Sequence, residues 1–371
     1  MYKKFLNLGL QPLANSYLQK KNLKKKEKNF KLEIGIDMQT LLVSIKNTVP
    51  KQKMFNDKYP YNSSASKTMK KSFFDLAQKI KKNYKHNYLL EIGSNDGAFL
   101  KNFNKKNIVG VEPCKNLAVI TKKLKYKTYP NYWNCNLARK ITKLNKADII
   151  YSANTLSHIK NLNEIFKAIK LALSDDGILI LEDPSLLECL KKVAYDQFYC
   201  EHIYVFSTIA LRNILKKFSL EIFHIENLST HGGSNRYYIK RSQSKKNKVK
   251  SSVKKEILKE LNFGINKFRT YKDFENKVKK SKKKLLNLLK QIKNKNFNII
   301  GYGATAKSCT VLNYCKIDSK IIDYFYDTTK DKINKYLPGS KILVKKYQKL
   351  NYKKYNYVFL GAWNFKSEIF K

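Results

Sequence analysis

The run Gln197–Ser207, Q-F-Y-C-E-H-I-Y-V-F-S, carries the most chemically suggestive side chains of this chain. Within it, Tyr199, Glu201 and His202 supply a phenol, a carboxylate and an imidazole. Such a set can remove a weakly acidic proton. The imidazole accepts the proton near neutral pH, while the carboxylate or phenol orients the ring or stabilises developing oxyanion charge. A structural polar cluster is the alternative interpretation.

A second candidate is the glycine turn in Asn87–Leu100, N-Y-L-L-E-I-G-S-N-D-G-A-F-L. Tyr88–Ile92 is an apolar strand pattern, Gly93–Gly97 is the turn, and a helical pattern, Ala98–Phe103, follows directly. This order brings backbone N–H groups and a helix N-terminus to a ligand. The two glycines do not fit the G-x-G-x-x-G dinucleotide fingerprint. With Glu91, the form acid-x-Gly-x-x-x-Gly resembles motif I of class I S-adenosylmethionine methyltransferases. Another nucleotide loop or a plain strand–helix connection remains open.

Polar residues at the ends of the next strands extend this candidate cofactor site. The strand Asn107–Val111 ends at Glu112, where a carboxylate can bind both ribose hydroxyls of an adenosyl ligand; an exposed glutamate by chance is the alternative. The strand Asp148–Ala153 is followed by Asn154. The predicted S-adenosylmethionine-binding residues are Glu91, Gly93, Asn95, Asp96, Gly97, Glu112 and Asn154.

These residues need an α/β framework, and the surrounding patterns supply one. An amphipathic helix, Thr68–Tyr84, precedes the first strand, and strands and helices then alternate as in a parallel doubly wound sheet. The later predicted elements are a helix over Asn161–Leu173, a strand over Gly177–Glu182, a helix from the Ser207 cap to Phe218, and strands over Leu220–Asn227 and Arg236–Arg241. A final antiparallel pair favours a methyltransferase sheet over an ordinary dinucleotide fold.

A second α/β unit follows a lysine-rich connector, Ser242–Asn296, which is predicted to be helical because it has almost no glycine or proline. Its predicted elements are a strand over Phe297–Ile300, a glycine turn over Gly301–Lys307, a helix over Ser308–Tyr314, a strand over Lys320–Tyr326 ended by Asp327, and a strand over Tyr355–Leu360. This Rossmann-like pattern indicates a site for a nucleotide-bearing substrate beside the cofactor site. A duplicated domain without a ligand is the alternative.

Composition limits the class of protein. The 371 residues, 43% of them hydrophobic, indicate a folded chain of two or three domains. The net charge of +48 comes almost entirely from dispersed lysine, which favours compositional drift over nucleic-acid binding. The six cysteines form no C-x-x-C pair, so neither a zinc ribbon nor a redox dithiol is indicated. No apolar run is long enough to cross a membrane, and we expect a cytoplasmic location.

Several motifs occur together in a fixed order: L-G-L-Q-P-L-A-N-S-Y-L, E-I-G-S-N-D-G, Y-C-E-H-I-Y-V-F-S, H-G-G-S-N-R, G-Y-G-A-T-A-K, D-T-T-K-D-K-I-N-K-Y-L-P-G and G-A-W-N-F. In this order they resemble the sugar C-methyltransferases that act on nucleotide-linked keto-deoxyhexoses. The resemblance covers nearly the whole chain. It implies a small irregular N-terminal domain at 1–65, a class I methyltransferase domain at 66–242, the helical connector at 243–296 and a C-terminal Rossmann-like domain at 297–371.

The resemblance also implies roles for individual residues. His202 would remove the proton beside the sugar keto group, with Tyr199 and Glu201 as active-site neighbours. Tyr61 would be a further active-site tyrosine, although Tyr59 can hold that place. The implied substrate-binding residues are His231, Gly232, Gly233, Ser234, Arg236, Gly301, Gly303, Lys307, Asp327, Trp363 and Asn364.

The chain departs from the family pattern in its N-terminal segment. Family members carry two zinc-binding cysteine pairs there, but the first cysteine of this chain is Cys114. We therefore predict no metal site. The expected partner is a nucleotide-sugar substrate, without nucleic acid or membrane, in a monomer or homodimer. There are two alternative functions. The first is a methyltransferase that acts on another small carbonyl or nucleotide-linked acceptor. The second is a lysine-rich RNA-binding protein or RNA methyltransferase.

Overall fold

The computed structural model describes residues 1–348 and 356–370. Its N-terminal part, for which the sequence indicates short irregular elements and a strand-like stretch over Phe30–Ile45, contains an antiparallel sheet. The strands β1 (Tyr2–Pro12), β2 (Asn29–Asp37) and β3 (Leu42–Ile45) follow one another, and a short helix, α1 (Lys51–Met54), comes after them. One face of the sheet packs in an apolar core shared with residues later in the chain, and β2 contributes buried Leu32, Ile34 and Ile36 to it at alternating positions.

The central unit alternates strands and helices, as the sequence pattern predicts. Its first helix, α2 (Lys67–Asn83), begins at Ser66, whose side chain accepts a hydrogen bond from the Met69 N–H. The later elements are β4 (Leu89–Ile92), β5 (Ile108–Val111), α3 (Lys115–Lys123), β6 (Lys127–Tyr129), α4 (Cys135–Ile141), β7 (Ala147–Ala153), α5 (Leu162–Ala172), β8 (Leu173–Pro184), α6 (Leu186–Lys191), β9 (Tyr204–Val205), α7 (Thr208–Lys216), β10 (Leu220–Leu228) and β11 (Ser234–Arg241).

Seven of these strands form one sheet in the order β10-β11-β8-β7-β4-β5-β6. The five strands from β4 to β8 are parallel, whereas β11 runs antiparallel to both β8 and β10. The predicted antiparallel final pair is therefore confirmed. The strand order reverses at β4, which lies between β5 and β7. In open α/β sheets, ligands bind in the crevice at the carboxyl ends of the strands beside such a reversal.

The helix predicted over Ala98–Phe103 is wrong. The structure has only a 3-10 turn at Leu100–Asn102. The Asn102 side chain explains the difference, because its amide donates hydrogen bonds to the backbone carbonyls of Ala98 and Phe99. A continuing α-helix would use these carbonyls for its own backbone bonds. The glycine turn is therefore not followed by a full helix, so the turn has no long helix N-terminus behind it.

Two helices connect the central unit to the C-terminal one, as predicted: α8 (Ser251–Phe263) and α9 (Phe268–Asn294). The C-terminal unit contains β12 (Ile299–Tyr302), α10 (Ala306–Cys315), β13 (Phe325–Asp327), β14 (Val344–Lys346), β15 (Tyr357–Leu360) and α11 (Lys366–Ile369). Its parallel sheet has the order β14-β13-β12-β15. The strand predicted over Lys320–Tyr326 is much shorter, because Ile322 packs into the core from a turn. Tyr355, where the last strand was predicted to begin, lies outside the described residues.

The short strand β9 links the N-terminal sheet to the central unit. It pairs with β3 through Val43 opposite Val205 and Ser44 opposite Tyr204. Just before β9, the Ile45 N–H donates to the Ile203 carbonyl at 2.9 Å. The N-terminal sheet therefore holds the chain directly after His202. Within the described part of the chain, no helix is both long and apolar enough to cross a bilayer.

Candidate active site

The segment Tyr199–His202 lies between a 3-10 turn, Tyr195–Gln197, and β9. The Tyr199 hydroxyl is 2.5 Å from His202 Nε2, and the two rings are in contact, with centroids 4.0 Å apart. His202 is only 5% exposed. The structure therefore brings the predicted phenol and imidazole together in a site that is closed to bulk water.

Burial controls the protonation of His202. The pKa of its imidazole lies well below the usual value, because burial disfavours the charged ring and because His158 and Lys307 repel it. The backbone carbonyl of Gln197 acts in the opposite direction. The ring is therefore neutral at neutral pH, which is the form that can accept a proton.

Glu201 is also buried, and each of its oxygens accepts a hydrogen bond. Asn15 Nδ2 donates to Oε1 at 2.7 Å, and the Tyr59 hydroxyl donates to Oε2 at 3.0 Å. Burial raises the pKa of Glu201 to about 7, and the two hydrogen bonds limit the rise because they stabilise the anion. Of the two tyrosines considered from the sequence, Tyr59 is thus the one that hydrogen-bonds to this cluster.

His158 forms the next layer of the site. Its ring stacks on His202 with centroids 5.0 Å apart, and on Phe55 with centroids 5.4 Å apart. Burial lowers the pKa of His158 to about 4, so this ring is neutral too. The neighbouring Ser157 hydroxyl donates to Asp183 at 2.6 Å. Two neutral imidazoles therefore lie against each other at the carboxyl edge of the sheet.

The glycine turn lies at the end of β4. Gly93 and Gly97 have φ of 79° and 80°, a conformation that side chains rarely adopt, and a Cβ on Gly93 would overlap Thr155. The Glu112 carboxylate accepts hydrogen bonds at 2.8 Å from the backbone N–H groups of Asn95 and Cys114. The turn and the acidic residue after β5 thus form one unit, as the sequence predicts.

The segment Tyr59–Ser66, which we call the tyrosine segment, lies against this turn. Asn95 accepts from the Ser63 N–H and donates to the Tyr61 carbonyl, and Asp96 accepts from both the N–H and the hydroxyl of Ser64. The side chain of Asn95 is thus engaged by the tyrosine segment. Tyr61 is 37% exposed, and desolvation and the nearby Asp96 raise its pKa to about 12, so its phenol is neutral near pH 7.

On the other side, the C-terminal unit meets the central unit around His231. The His231 carbonyl accepts from Gln197 Nε2 at 2.6 Å and from Lys307 Nζ at 3.0 Å. The Lys307 ammonium also lies over the Trp363 ring, whose N–H donates to Asp196 at 2.6 Å. Burial lowers the pKa of Lys307 to about 8 and that of His231 to about 3.

A cavity of about 490 Å³ opens between these two units. It is lined by α6, by the loop before β11 and by the chain before α11. Five predicted substrate-binding residues belong to its lining: Gly232, Gly233, Ser234, Trp363 and Asn364. Gly232 and Gly233 have φ of 89° and 123°, and a Cβ on Gly232 would meet the Trp363 ring, so the close approach of the two units requires glycine there.

Three family models match successive parts of the chain: a putative zinc binding domain at residues 2–55, a methyltransferase domain at 65–225 and a C-methyltransferase C-terminal domain at 229–371. A curated relative, C-methyltransferase NovU of Streptomyces niveus, is 25% identical over an alignment of 370 residues that covers 98% of this chain and 88% of that protein. The chain is an S-adenosylmethionine-dependent methyltransferase, and over nearly its whole length it is similar to C-methyltransferases.

Solved structures similar to part of this methyltransferase include an S-adenosylmethionine-dependent methyltransferase from Clostridium acetobutylicum, with a TM-score of 0.37 and 14% identity over 48% of this chain and 93% of that one. Magnesium protoporphyrin IX methyltransferase from Synechocystis with bound S-adenosylmethionine has a TM-score of 0.34 and 14% identity, over 47% and 79% of the two chains.

S-adenosylmethionine is the methyl donor of this methyltransferase, and the residues around the glycine turn fit it. Glu112 offers a carboxylate to ribose hydroxyls, and Asp96 Oδ1, Ser94 Oγ and Asn154 Oδ1 are buried acceptors without a hydrogen bond among the described residues. An ammonium group and two ribose hydroxyls are donors that need such acceptors. Glu91 is different, because its carboxyl lies buried below the turn, where burial and the nearby Asp96 and Glu112 raise its pKa well above normal.

Two predicted substrate contacts of the methyltransferase have other partners. The Arg236 guanidinium is buried and donates to Glu182 at 3.0 Å, to Glu226 at 3.2 Å and to Ser72 at 3.2 Å, so it joins sheet and helix instead of facing a ligand. Gly301 lies within β12, where a Cβ would overlap the Phe325 ring, so its role is close packing.

The other predicted residues of the C-terminal glycine turn lie at the edge of the sheet. Asp327 ends β13 and accepts from Lys332 Nζ at 3.3 Å. Gly303 has a φ of 83° and packs against Ala362. In the N-terminal segment, no group of three or more side chains that could bind a metal ion occurs among residues 1–55. The absence of zinc stays a prediction.

Proposed function

We propose that this methyltransferase methylates the carbon next to the keto group of a nucleotide-linked deoxysugar, with His202 as the base. The observation that carries the proposal is the Tyr199–His202 pair: a buried, neutral imidazole with a phenol 2.5 Å from Nε2. This pair lies at the same edge of the sheet as the glycine turn and Glu112. A base near the methyl-donor site suits carbon methylation, because the carbon must lose a proton before it can attack the methyl group.

In the proposed reaction, the C–H bond beside the keto group breaks, and its proton passes to His202 Nε2. The electron pair of that bond delocalises onto the keto oxygen. When bound, S-adenosylmethionine would supply the methyl group for the new C–C bond: its methyl–sulfur bond would break, the electron pair of that bond would stay on sulfur, and S-adenosylhomocysteine would be the leaving group. Because His202 is neutral at neutral pH, it is ready to accept the proton without a prior ionisation.

Tyr199 supports this transfer. Burial and the nearby Glu201 hold its pKa well above normal, so the phenol keeps its proton. In the free enzyme its O–H can donate to the neutral Nε2. Once Nε2 holds the substrate proton, the hydroxyl needs another acceptor, and the negatively charged keto oxygen is the group that gains most from such a donor.

The proposed substrate class rests on the C-terminal unit. Its glycine turn follows β12 in the manner of nucleotide-binding folds. Lys307, from the helix after this turn, presents a buried ammonium next to the His231 carbonyl, where a diphosphate would find a cation. Trp363, whose ring lies under the Lys307 ammonium, and the loop at Gly232–Gly233 line a cavity of about 490 Å³, although neither Lys307 nor His202 is part of its lining.

The test is methyl transfer from isotopically labelled S-adenosylmethionine to a panel of nucleoside diphosphate 4-keto-deoxysugars, with the product analysed by mass spectrometry. We expect methylation on carbon with at least one sugar. No turnover with the whole panel, together with turnover of another small carbonyl compound, would overturn the substrate class. The net charge of +48 suggests an RNA methyltransferase as the alternative, so the panel also includes RNA. We expect no methyl transfer to RNA.

A further inference from the structure

The loop after β1, residues Ala14–Leu18, contacts two functional elements, and we call it the strap. Asn15 Nδ2 donates to Glu201 Oε1 at 2.7 Å. The Tyr17 hydroxyl donates to the Ala304 carbonyl, at 2.5 Å, in the glycine turn of the C-terminal unit. The strap therefore connects the catalytic segment with the turn that we assign to the nucleotide.

The strap is firmly fixed to the C-terminal unit. Leu18 and Tyr336 exchange two backbone hydrogen bonds of 2.9 Å. Ala14 is buried in the core of that unit. Lys332 donates to the same Ala304 carbonyl as Tyr17, at 2.9 Å, and lies over the Tyr17 ring. The position of Asn15 is thus set by the C-terminal unit rather than by the N-terminal sheet alone.

Among the described residues, no positively charged group contributes to the pKa of Glu201. The titratable groups that act on it or feel its charge are Tyr17, Tyr59, Cys114, Tyr199, Cys200 and Cys309. The pKa of each of these groups is raised, so all six are neutral near pH 7. Hydrogen bonds from Asn15 and Tyr59 are therefore what oppose the effect of burial on Glu201.

We propose that Asn15 is a positioning residue for methyl transfer: its hydrogen bond holds the Glu201 carboxylate in place next to Tyr199 and stabilises its anionic form, and it ties that carboxylate to the substrate-binding unit. The inference rests on the proposed function. An amide suits this position because it donates a hydrogen bond without carrying charge. Aspartate at the same position would bring a second carboxylate against Glu201.

The first test measures Glu201 directly and needs no substrate. Carbon-13 NMR follows the titration of its side-chain carboxyl, assigned through Glu201→Gln, in the wild type and in Asn15→Ala. We expect the midpoint to rise by about one pH unit, a tenfold change in the ratio of the two protonation states. Asn15→Asp should raise it further. Superimposable titrations of the wild type and Asn15→Ala would overturn the proposal.

The second test follows proton removal from a nucleoside diphosphate 4-keto-deoxysugar in D2O without the methyl donor, between pH 5.5 and 9. In Asn15→Ala, the acid limb of the pH profile of the exchange rate should shift to higher pH by as much as the Glu201 titration midpoint does. At high pH the rate should recover. Tyr17→Phe removes the other strap contact and should leave the limb in place. A uniformly lower rate in Asn15→Ala at every pH would contradict a role through Glu201.

The two tests separate the two proposals. If the wild type exchanges no proton in any keto-deoxysugar, the proposed function fails, while the carboxyl titration still decides whether Asn15 controls Glu201. Thermal melting of each variant shows whether it folds. A variant that melts like the wild type but shifts the titration supports the positioning role.

Discussion

Replacement of Glu112 by glutamine tests the cofactor site most sharply. In the wild type, the Glu112 carboxylate accepts two backbone hydrogen bonds of 2.8 Å, from Asn95 and Cys114. Glutamine keeps one of these two acceptor oxygens and replaces the other with an NH2 group. Because that NH2 group would face a backbone N–H, two donors would meet and the turn must shift. It also removes the negative charge that we expect to face the ribose hydroxyls of bound S-adenosylmethionine. Loss of a hydrogen bond to a charged group costs about 1.5–3 kcal/mol, which is roughly 10- to 150-fold in affinity.

Isothermal titration calorimetry with S-adenosylmethionine and with S-adenosylhomocysteine measures this loss. Glu260→Gln is the matched control. Glu260 is also buried and accepts two backbone hydrogen bonds, from Thr208 at 2.6 Å and Ile209 at 2.9 Å, but it does so at the start of α7. It should lose stability and keep its affinity. Unchanged affinity in Glu112→Gln, or an equal loss in both variants, would refute the assigned ribose contact.

Two further predictions concern buried ionisable groups. Burial raises the pKa of Asp183 to about 8, so its stabilising contribution is complete below the unfolded-state pKa near 4 and is lost as pH rises through 8. Asp183→Asn should therefore reduce the fall in unfolding free energy between pH 5 and 8 by about 2–4 kcal/mol in urea titrations; an unaltered fall would contradict this. Lys307→Met should raise KM for the nucleotide sugar roughly 10- to 100-fold and change kcat less. A loss confined to kcat would exclude Lys307 as a substrate contact.

Much of the fold is predictable because its signals are local. The strands β4, β5 and β7, and β8 from Gly177 onward, are mainly apolar runs followed by glycine, acid or asparagine, and they are buried in the sheet. The antiparallel pair β10 and β11 follows from the same reasoning. The helix expected after Gly97 fails because one side chain, Asn102, competes for backbone carbonyls, which periodicity does not register.

The N-terminal sheet is harder to predict from the sequence. Its strand β1 changes register twice against β2, and Gly9 has a φ of 76° near one of these shifts, so no clean alternation of apolar residues appears. Its fourth strand, β9, comes from the central unit, far along the chain. Pairing between such distant segments depends on tertiary structure and not on local propensity.

In the site, too, contacts within one segment are predictable from the sequence and long-range contacts are not. Tyr199 and His202 are close in sequence, so their contact follows from a single segment. The contacts of Asn15 and Tyr59 with Glu201 are long-range, and residue type alone does not disclose them. For Arg236 the sequence predicts a ligand contact that the structure does not support. A cation within a binding motif suggests a ligand, but the partners of Arg236 are the carboxylates of Glu182 and Glu226.

The central claim is that His202 removes the proton next to the keto group. Its most direct test is deuterium incorporation at that carbon in D2O, followed by proton NMR with a nucleoside diphosphate 4-keto-deoxysugar and no methyl donor. His202→Asn should slow exchange by about 10²–10⁴-fold, the usual contribution of a general base, while His86→Asn, outside the site, should exchange like the wild type. Exchange at the wild-type rate in folded His202→Asn would contradict the assignment of His202 as the base.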